Sequence, residues 1–251
     1  MGAELPFRRG RTHRCGCHRN SRVDCLRRPN HFTERGRARG LASRLKPDIC
    51  YASAAVMKAP LLGRRSTDMS TLDTLLNRNS HPRLTEPGPD TDQLQTILQA
   101  ALRAPDHGRL RPWHFVVIAG ERRAVLGECF QRSLRLKGVT DDAQLKKALN
   151  APLRAPLVLA GLLRAVDHEK ISRDEQGHAV AAALHAAQLA ADALGFGCVW
   201  RTGGYATDPH VVEALGGDPA DQVIGFLYVG TRDGPSKLLS DEPLESFVSY
   251  F

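Results

Sequence analysis

Residues 174–194 constrain this chain most. Val180, Leu184, Ala187, Ala191 and Leu194 trace one apolar stripe at helical spacing, and Gly195 supplies the stop. Alanine is abundant along this helix, so another layer can approach it closely. His185, Gln188 and Asp192 interrupt the run, which therefore does not qualify as a membrane span.

Shorter elements fit around this helix. Ser70 or Thr71 can cap a first helix that ends near Arg78, with Leu72, Leu75 and Leu76 on its buried side. Asp90 opens the next helix, Gln93 completes a capping box, and Leu94, Ile97, Leu98, Ala101 and Leu102 follow at helical spacing until Pro105. Residues 114–119 read as a buried strand, 121–137 and 141–149 as helices, and 156–163 as a second strand. Beyond the long helix, 196–200 is a strand, 209–215 a short helix and 222–229 a last strand. Two helices before the first strand, with long helices between later strands, predict a layered α+β domain.

The formal charge of +8 misleads unless it is divided. Residues 1–68 hold 16 Lys and Arg against 5 acids, a balance of +11, whereas residues 69–251 are mildly acidic at −3. A nucleic-acid or anionic-membrane reading of the basic composition therefore does not reach the periodic part of the chain. Residues 1–68 lack sustained periodicity, and the sequence predicts a basic, disordered or non-native leader there, with translation starting at Met69. A targeting segment and a nucleic-acid-binding arm are the other readings of this leader. Cys15, Cys17, His18, Cys25 and His31 lack the paired spacing of a zinc site, so no metal is expected. Only Cys129 and Cys198 lie beyond residue 68, which argues against a disulfide scaffold and for a reduced, cytoplasmic protein.

No Gly-x-Gly-x-x-Gly after a strand, no Walker loop, no Gly-x-Ser-x-Gly elbow and no His-Glu-x-x-His occurs. Three other segments carry chemistry. Arg78-Asn79-Ser80 follows the first helix, and an arginine fork beside a hydroxyl suits a phosphate, although an arginine at a helix end also serves the dipole. Arg103, Asp106, His107, Arg109 and Arg111 crowd the loop that runs into Pro112-Trp113, as at a site for an anion or an electron-rich ring. Trp200-Arg201-Thr202 leaves a strand beside Gly203 and Gly204, where backbone can approach a planar ligand closely. Each also has a plain structural reading: a solvated helix end for Arg103, a backbone-bonded loop residue for His107, a core aromatic for Trp200.

In this order and spacing the three segments resemble the FMN-dependent nitroreductase family, most closely its small YdjA-type members, across nearly all of residues 69–251. The resemblance implies a three-layer sandwich with a central mixed, mostly antiparallel sheet flanked by helices, assembled as a homodimer with FMN at the interface. It implies FMN contacts from Arg78, Asn79, Ser80, Arg103, His107, Trp200, Arg201 and Thr202, with the 103–107 segment crossing to the cofactor of the second subunit. By the same resemblance Ala190, Ala191, Asp192, Ala193, Leu194 and Gly195 match a stretch assigned to NAD(P), although their composition alone says only "packed helix end". The implied reaction passes electrons from NADH or NADPH to a nitroaromatic or quinone by a ping-pong cycle, with hydride chemistry on the flavin N5 and no obligatory side-chain acid or base.

Two departures stand out. Many relatives place a lysine two residues after the serine, near the flavin N1/O2 edge, where this chain has Pro82; Arg103 and His107 are the candidates to replace its charge. The polar pattern of the 106–111 loop also differs from the usual one, while Pro112 and Trp113 are kept. Flavin fragmentation and deiodination on the same framework stay open as alternatives. So does a nucleic-acid role for the leader. Residues 245–251 are aromatic and β-prone, and the resemblance places them on the partner subunit.

Overall fold

The computed structural model describes residues 71–240 and 242–251. The readings placed on residues 1–68, Met69 and Ser70 lie outside these described residues. In chain order the elements are α1 (Thr71–Asn77), β1 (Leu84–Thr85), α2 (Thr91–Ala101), β2 (Trp113–Ala119), α3 (Arg122–Leu136), α4 (Asp142–Asn150), β3 (Leu157–Leu163), α5 (Arg173–Ala193), β4 (Gly197–Arg201), α6 (Pro209–Ala214) and β5 (Gln222–Arg232).

The sheet runs β2-β3-β5, and β4 and β1 share the far edge of β5. Every pair of named strands is antiparallel. A parallel bridge joins Ser80 to Cys198. All seven residues of β3 are buried because both sheet faces are covered. Val158, Ala160, Leu162, Phe226 and Tyr228 face a core completed by Leu126 and Phe130 of α3, Ala148 of α4 and Val211 of α6. Leu157, Leu159, Leu227 and Val229 face the opposite core, which Ile97 and Ala101 of α2 and Ala183, Leu184, Ala187 and Ala191 of α5 complete. The result is three layers, with α2 and α5 on one side and α3, α4 and α6 on the other.

Local chemistry explains the helix starts. Asp90 and Gln93 form the reciprocal capping box of α2, with the Gln93 amide N–H donating to Asp90 Oδ1 at 2.8 Å and the Asp90 N–H to Gln93 Oε1 at 2.9 Å. Ser172 and Glu175 form a second box at α5, which fixes its start at Arg173. β5 runs three residues past the expected Val229, to Arg232, because Thr231 and Arg232 pair with β1.

One expectation fails. Leu72, Leu75 and Leu76 are 66%, 46% and 73% exposed, and the buried residue of α1 is Thr74. The helical period marks an apolar face, but among the described residues α1 meets α5 and the side chain it buries is that of Thr74. Leu102 and Leu194, each the last residue of its expected apolar stripe, are exposed as well.

Gly161 of β3 and Gly225 of β5 face one another across the sheet on the α5 side. A Cβ on Gly161 would press into Leu184, and one on Gly225 would run into the Trp200 indole. The absent side chains let α5 and Trp200 settle onto the strands. The β3–β5 register shifts next to this pair, between Gly161 and Leu162.

Candidate functional site

The Ser80–Cys198 bridge is reinforced by the His81 amide, which donates to the Cys198 carbonyl at 2.8 Å. The segment after α1 is thereby held along β4, two residues from Trp200. Arg78 is half-buried, and among the described residues no carboxylate forms an ion pair with it. It lies near enough to Cys198 to act on that thiol, which burial nonetheless pushes up to about 12. A half-buried guanidinium without an acid, beside a hydroxyl and a strand edge, is a donor set that fits a phosphate dianion. Asn79 is tied differently: its buried side-chain amide donates to the Lys237 carbonyl at 2.6 Å, fastening the chain beyond β5 to the start of the domain.

Strand alternation separates the residues of the 200–202 segment. Trp200 packs with the α2–α5 core against Gly225, whereas the Arg201 guanidinium lies over the Tyr228 ring, 5.5 Å from its centroid, on the α3–α4 side. Thr202 is exposed just beyond the strand.

Arg103 and His107 are exposed at the far end of α2. His107 Nδ1 lies 3.0 Å from Glu175 Oε1, in the first turn of α5. That contact holds the Glu175 carboxyl below its usual range, with the Ser172 amide adding to the effect. Because α5 extends about 27 Å between Glu175 and Ala193 at 1.5 Å per residue, the 103–107 segment is anchored at the opposite end of α5 from Asp192 and Arg232. No hydrogen bond among the described residues joins Arg103 or His107 to Arg78, Ser80 or Trp200. Beyond His107 the loop is wound tightly. Arg109 and Arg111 take left-handed φ values of 56° and 51°, and Asp106 Oδ2 accepts the Arg111 amide at 2.6 Å. Non-glycine residues in this region are strained, and such strain gathers at ligand-binding loops.

The 190–195 stretch is largely committed to packing. Ala191 and Asp192 are buried, Ala190 is half-buried, and Ala193, Leu194 and Gly195 are exposed. Asp192 Oδ1 receives Arg232 at 2.8 Å, and Arg232 also donates to the Phe196 carbonyl. This pair, forty residues apart in sequence, closes the C-terminal end of α5 onto the end of β5. Sequence reading missed it, as it missed the neighbouring His81, whose ring burial and the cations of Arg232 and Lys237 hold below the usual imidazole value against the pull of Asp192. Among the described residues, no cluster of three or more His, Cys, Asp or Glu could hold a metal, and no helix is long and apolar enough to cross a membrane.

A three-layer sandwich that fastens an unpaired arginine and a serine to the edge strand beside a tryptophan defines a protein able to seat an anion next to a flat group. Comparison with known proteins gives that class a family. The Nitroreductase family model matches residues 75–231. The Escherichia coli (strain K12) protein named "Putative NAD(P)H nitroreductase YdjA" is 41% identical over 184 residues, covering 73% of this chain and all of the relative. A Haemophilus influenzae relative named "Putative NAD(P)H nitroreductase" is 36% identical over 165 residues, covering 65% of this chain and 89% of its own. The crystal structure of a nitroreductase-like family protein from Bacillus cereus superposes with a TM-score of 0.65 at 26% identity, covering 75% of this chain and 99% of that one. A Bacteroides fragilis nitroreductase solved with bound FMN shares the fold, with a TM-score of 0.57 at 22% identity over 73% of this chain and all of that one. The chain belongs to the nitroreductase family.

Proposed function

We propose that this protein is an FMN-dependent NAD(P)H oxidoreductase that works as a homodimer and passes electrons to an electron-poor acceptor such as a nitroaromatic or quinone. The observation that carries the reading is the fastening of Arg78 and Ser80 to β4 through Cys198, which sets a cationic phosphate seat next to the Trp200 strand. Bound FMN would supply the hydride chemistry, taking reducing equivalents from NADH or NADPH and giving them to the acceptor in a ping-pong cycle.

The chain's own residues then have limited tasks. Arg78 and Ser80 hold the phosphate end by charge-assisted hydrogen bonds. Asn79 acts by keeping the 233–240 segment against the seat through Lys237. The backbone of residues 200–202 offers a flat edge, and the indole of Trp200 closes it toward α5. Arg103 supplies the positive charge that Pro82 does not, and with His107, which Glu175 anchors, it reaches the flavin held by a second subunit. The exposed Leu72, Leu75 and Leu76 of α1, with Phe247, Tyr250 and Phe251 near the C-terminus, support that assembly, since they are large apolar side chains left exposed among the described residues. Ala190, Ala193, Leu194 and Gly195 retain a part in NAD(P) binding only through their exposed atoms, because Asp192 is engaged by Arg232. We assign residues 69–251 to the flavin domain and residues 1–68 to no part of the reaction.

The visible spectrum of the purified full chain tests this reading, followed by anaerobic addition of NADH and then NADPH. Flavin absorbance that bleaches with a pyridine nucleotide and returns with a nitroaromatic or quinone supports it. A colourless protein that also fails to take up added FMN overturns it.

A further inference from the structure

One face of α3 grips the turn that follows β4. Phe130, Ser133 and Lys137 stand at i, i+3 and i+7, the spacing of residues that share a helix face. Phe130 stacks on Tyr205 with ring centroids 4.1 Å apart and 7° between the planes. The buried Ser133 hydroxyl donates to Asp208 Oδ2 at 2.5 Å. Lys137 Nζ lies 2.7 Å from the same carboxylate oxygen and donates to the Gly204 carbonyl at 3.1 Å. Asp208 is 3% exposed and Lys137 47%, so the carboxylate is the fixed member and the ammonium reaches it from the solvent side. Burial pushes the Asp208 carboxyl up, but hydrogen bonds from Lys137, Ser133 and the His210 amide outweigh it and hold the group below its usual range. The flavin reading gives Ser133, Lys137 and Asp208 no part.

The grip falls on the freest backbone beside the proposed seat. Gly203 takes a φ of 92° and Gly204 follows it, so no side chain limits the conformations open to this pair. Thr202, Gly203 and Gly204 are all exposed. The Ala206 amide holds the Gly203 carbonyl at 3.0 Å from within the turn, and Lys137 holds the Gly204 carbonyl from outside it. We propose that Lys137, set in place by the buried Asp208–Ser133 pair, is a positioning residue of the flavin site. It fixes the peptide that follows Gly204, and through it the 202–204 backbone that edges the ring, a role that rests on the flavin reading given above. Lys137 acts through the backbone and not on the cofactor. Without its ammonium the two glycines sample several conformations, and the cofactor must order them as it binds, which weakens binding and changes the surroundings of the ring.

The test compares the full wild-type chain with Lys137→Met, which keeps most of the apolar stem, and Lys137→Arg, which can still donate to both oxygens. In the flavin-free chain, amide hydrogen exchange over residues 203–206 should be roughly tenfold faster in Lys137→Met, with Lys137→Arg close to wild type. FMN titrated by fluorescence should bind roughly tenfold more weakly to Lys137→Met, as befits the loss of one charge-assisted hydrogen bond. At saturating FMN the visible circular dichroism of the bound flavin should differ from that of the wild type, and Lys137→Arg should restore it. That last signal is read with the chain folded and the site full, so a general loss of stability does not move it. Faster exchange with unchanged dichroism would make the lysine a structural clasp and overturn the proposal. Unchanged exchange, unchanged FMN affinity, or no recovery in Lys137→Arg would overturn it as well. A wild type that takes up no FMN overturns the flavin reading and the positioning role together, whereas a wild type that binds FMN and a Lys137→Met that matches it overturn the positioning role alone.

Discussion

Ser80 is bridged in parallel to Cys198, so the segment that follows the first helix and the strand that follows the longest one are fixed to each other. The spacing of Arg78 from Trp200 is therefore a property of the sheet and does not depend on a mobile loop.

Removing the guanidinium of Arg78 should then cost cofactor retention without costing the fold. For Arg78→Ala we expect FMN to bind about tenfold to a hundredfold more weakly, the worth of about 1.5–3 kcal/mol for a hydrogen bond to a charged group. Fluorescence titration of the flavin-free chain checks this. Unchanged affinity would remove Arg78 from the phosphate seat.

Acid should weaken the fold through His81. Its folded-state pKa lies below the ordinary 6.5, chiefly because of burial and then because of Arg232. The unfolded chain thus binds the proton more readily, so the stabilisation is present above about 6.5 and is lost as pH falls through the folded value. His114 adds in the same direction, by burial and the nearby Arg164. The urea midpoint should drop between neutral pH and about pH 5.5, and His81→Asn should flatten part of that slope. A variant with the wild-type slope would exonerate His81.

The Asp192–Arg232 pair should matter for stability. Asp192 is 7% exposed and Arg232 34%, so Arg232→Met would strand a buried carboxylate at a cost of about 2 kcal/mol, below the range for a fully buried pair because water still screens the arginine. Asp192→Asn combined with Arg232→Met should lose less than the sum of the two single changes. Urea melts of the four proteins decide it, and strict additivity would deny the coupling.

Gly225→Ala should destabilise by about 1–3 kcal/mol, the usual cost of overpacking, because its methyl would enter the space of the Trp200 indole. In a Trp200→Leu background the same change should cost measurably less. An equal cost in both backgrounds would place the conflict elsewhere.

Buried Cys198, with its thiol at about 12, should resist alkylation in the native chain at mildly alkaline pH and react only on unfolding. Peptide mapping after a short pulse of iodoacetamide tests this. Early labelling would show that the Ser80 bridge opens.

Much of the framework could be read from the chain because its signals are local. The Asp90–Gln93 box, the Pro105 stop, the stripe of α5 as far as Ala191 and its Gly195 ending all act within a turn or two, and all stand where the sequence places them. What escaped depends on contacts between distant residues. Periodicity shows that Leu72, Leu75 and Leu76 share a face but not what covers it, so their exposure could not be foreseen. The opposite facings of Trp200 and Arg201 follow from strand geometry, yet a segment read as one flavin-contacting unit hides them. The pairing of Asp192 with Arg232 and of His107 with Glu175 depends on how α5 lies against β5 and α2, which neither motif nor composition encodes.

The glycine pair at the centre of the sheet has a further consequence for how this enzyme could be changed. On the α5 side the layers meet through the hydrogens of Gly161 and Gly225 and the methyls of Ala183, Ala187 and Ala191, so there is almost no volume left to trim. On the α3–α4 side the layers are held apart by phenylalanine, tyrosine and leucine. Any attempt to reshape the interior for bulkier molecules has room to work only on that second side, and the first behaves as a fixed plate.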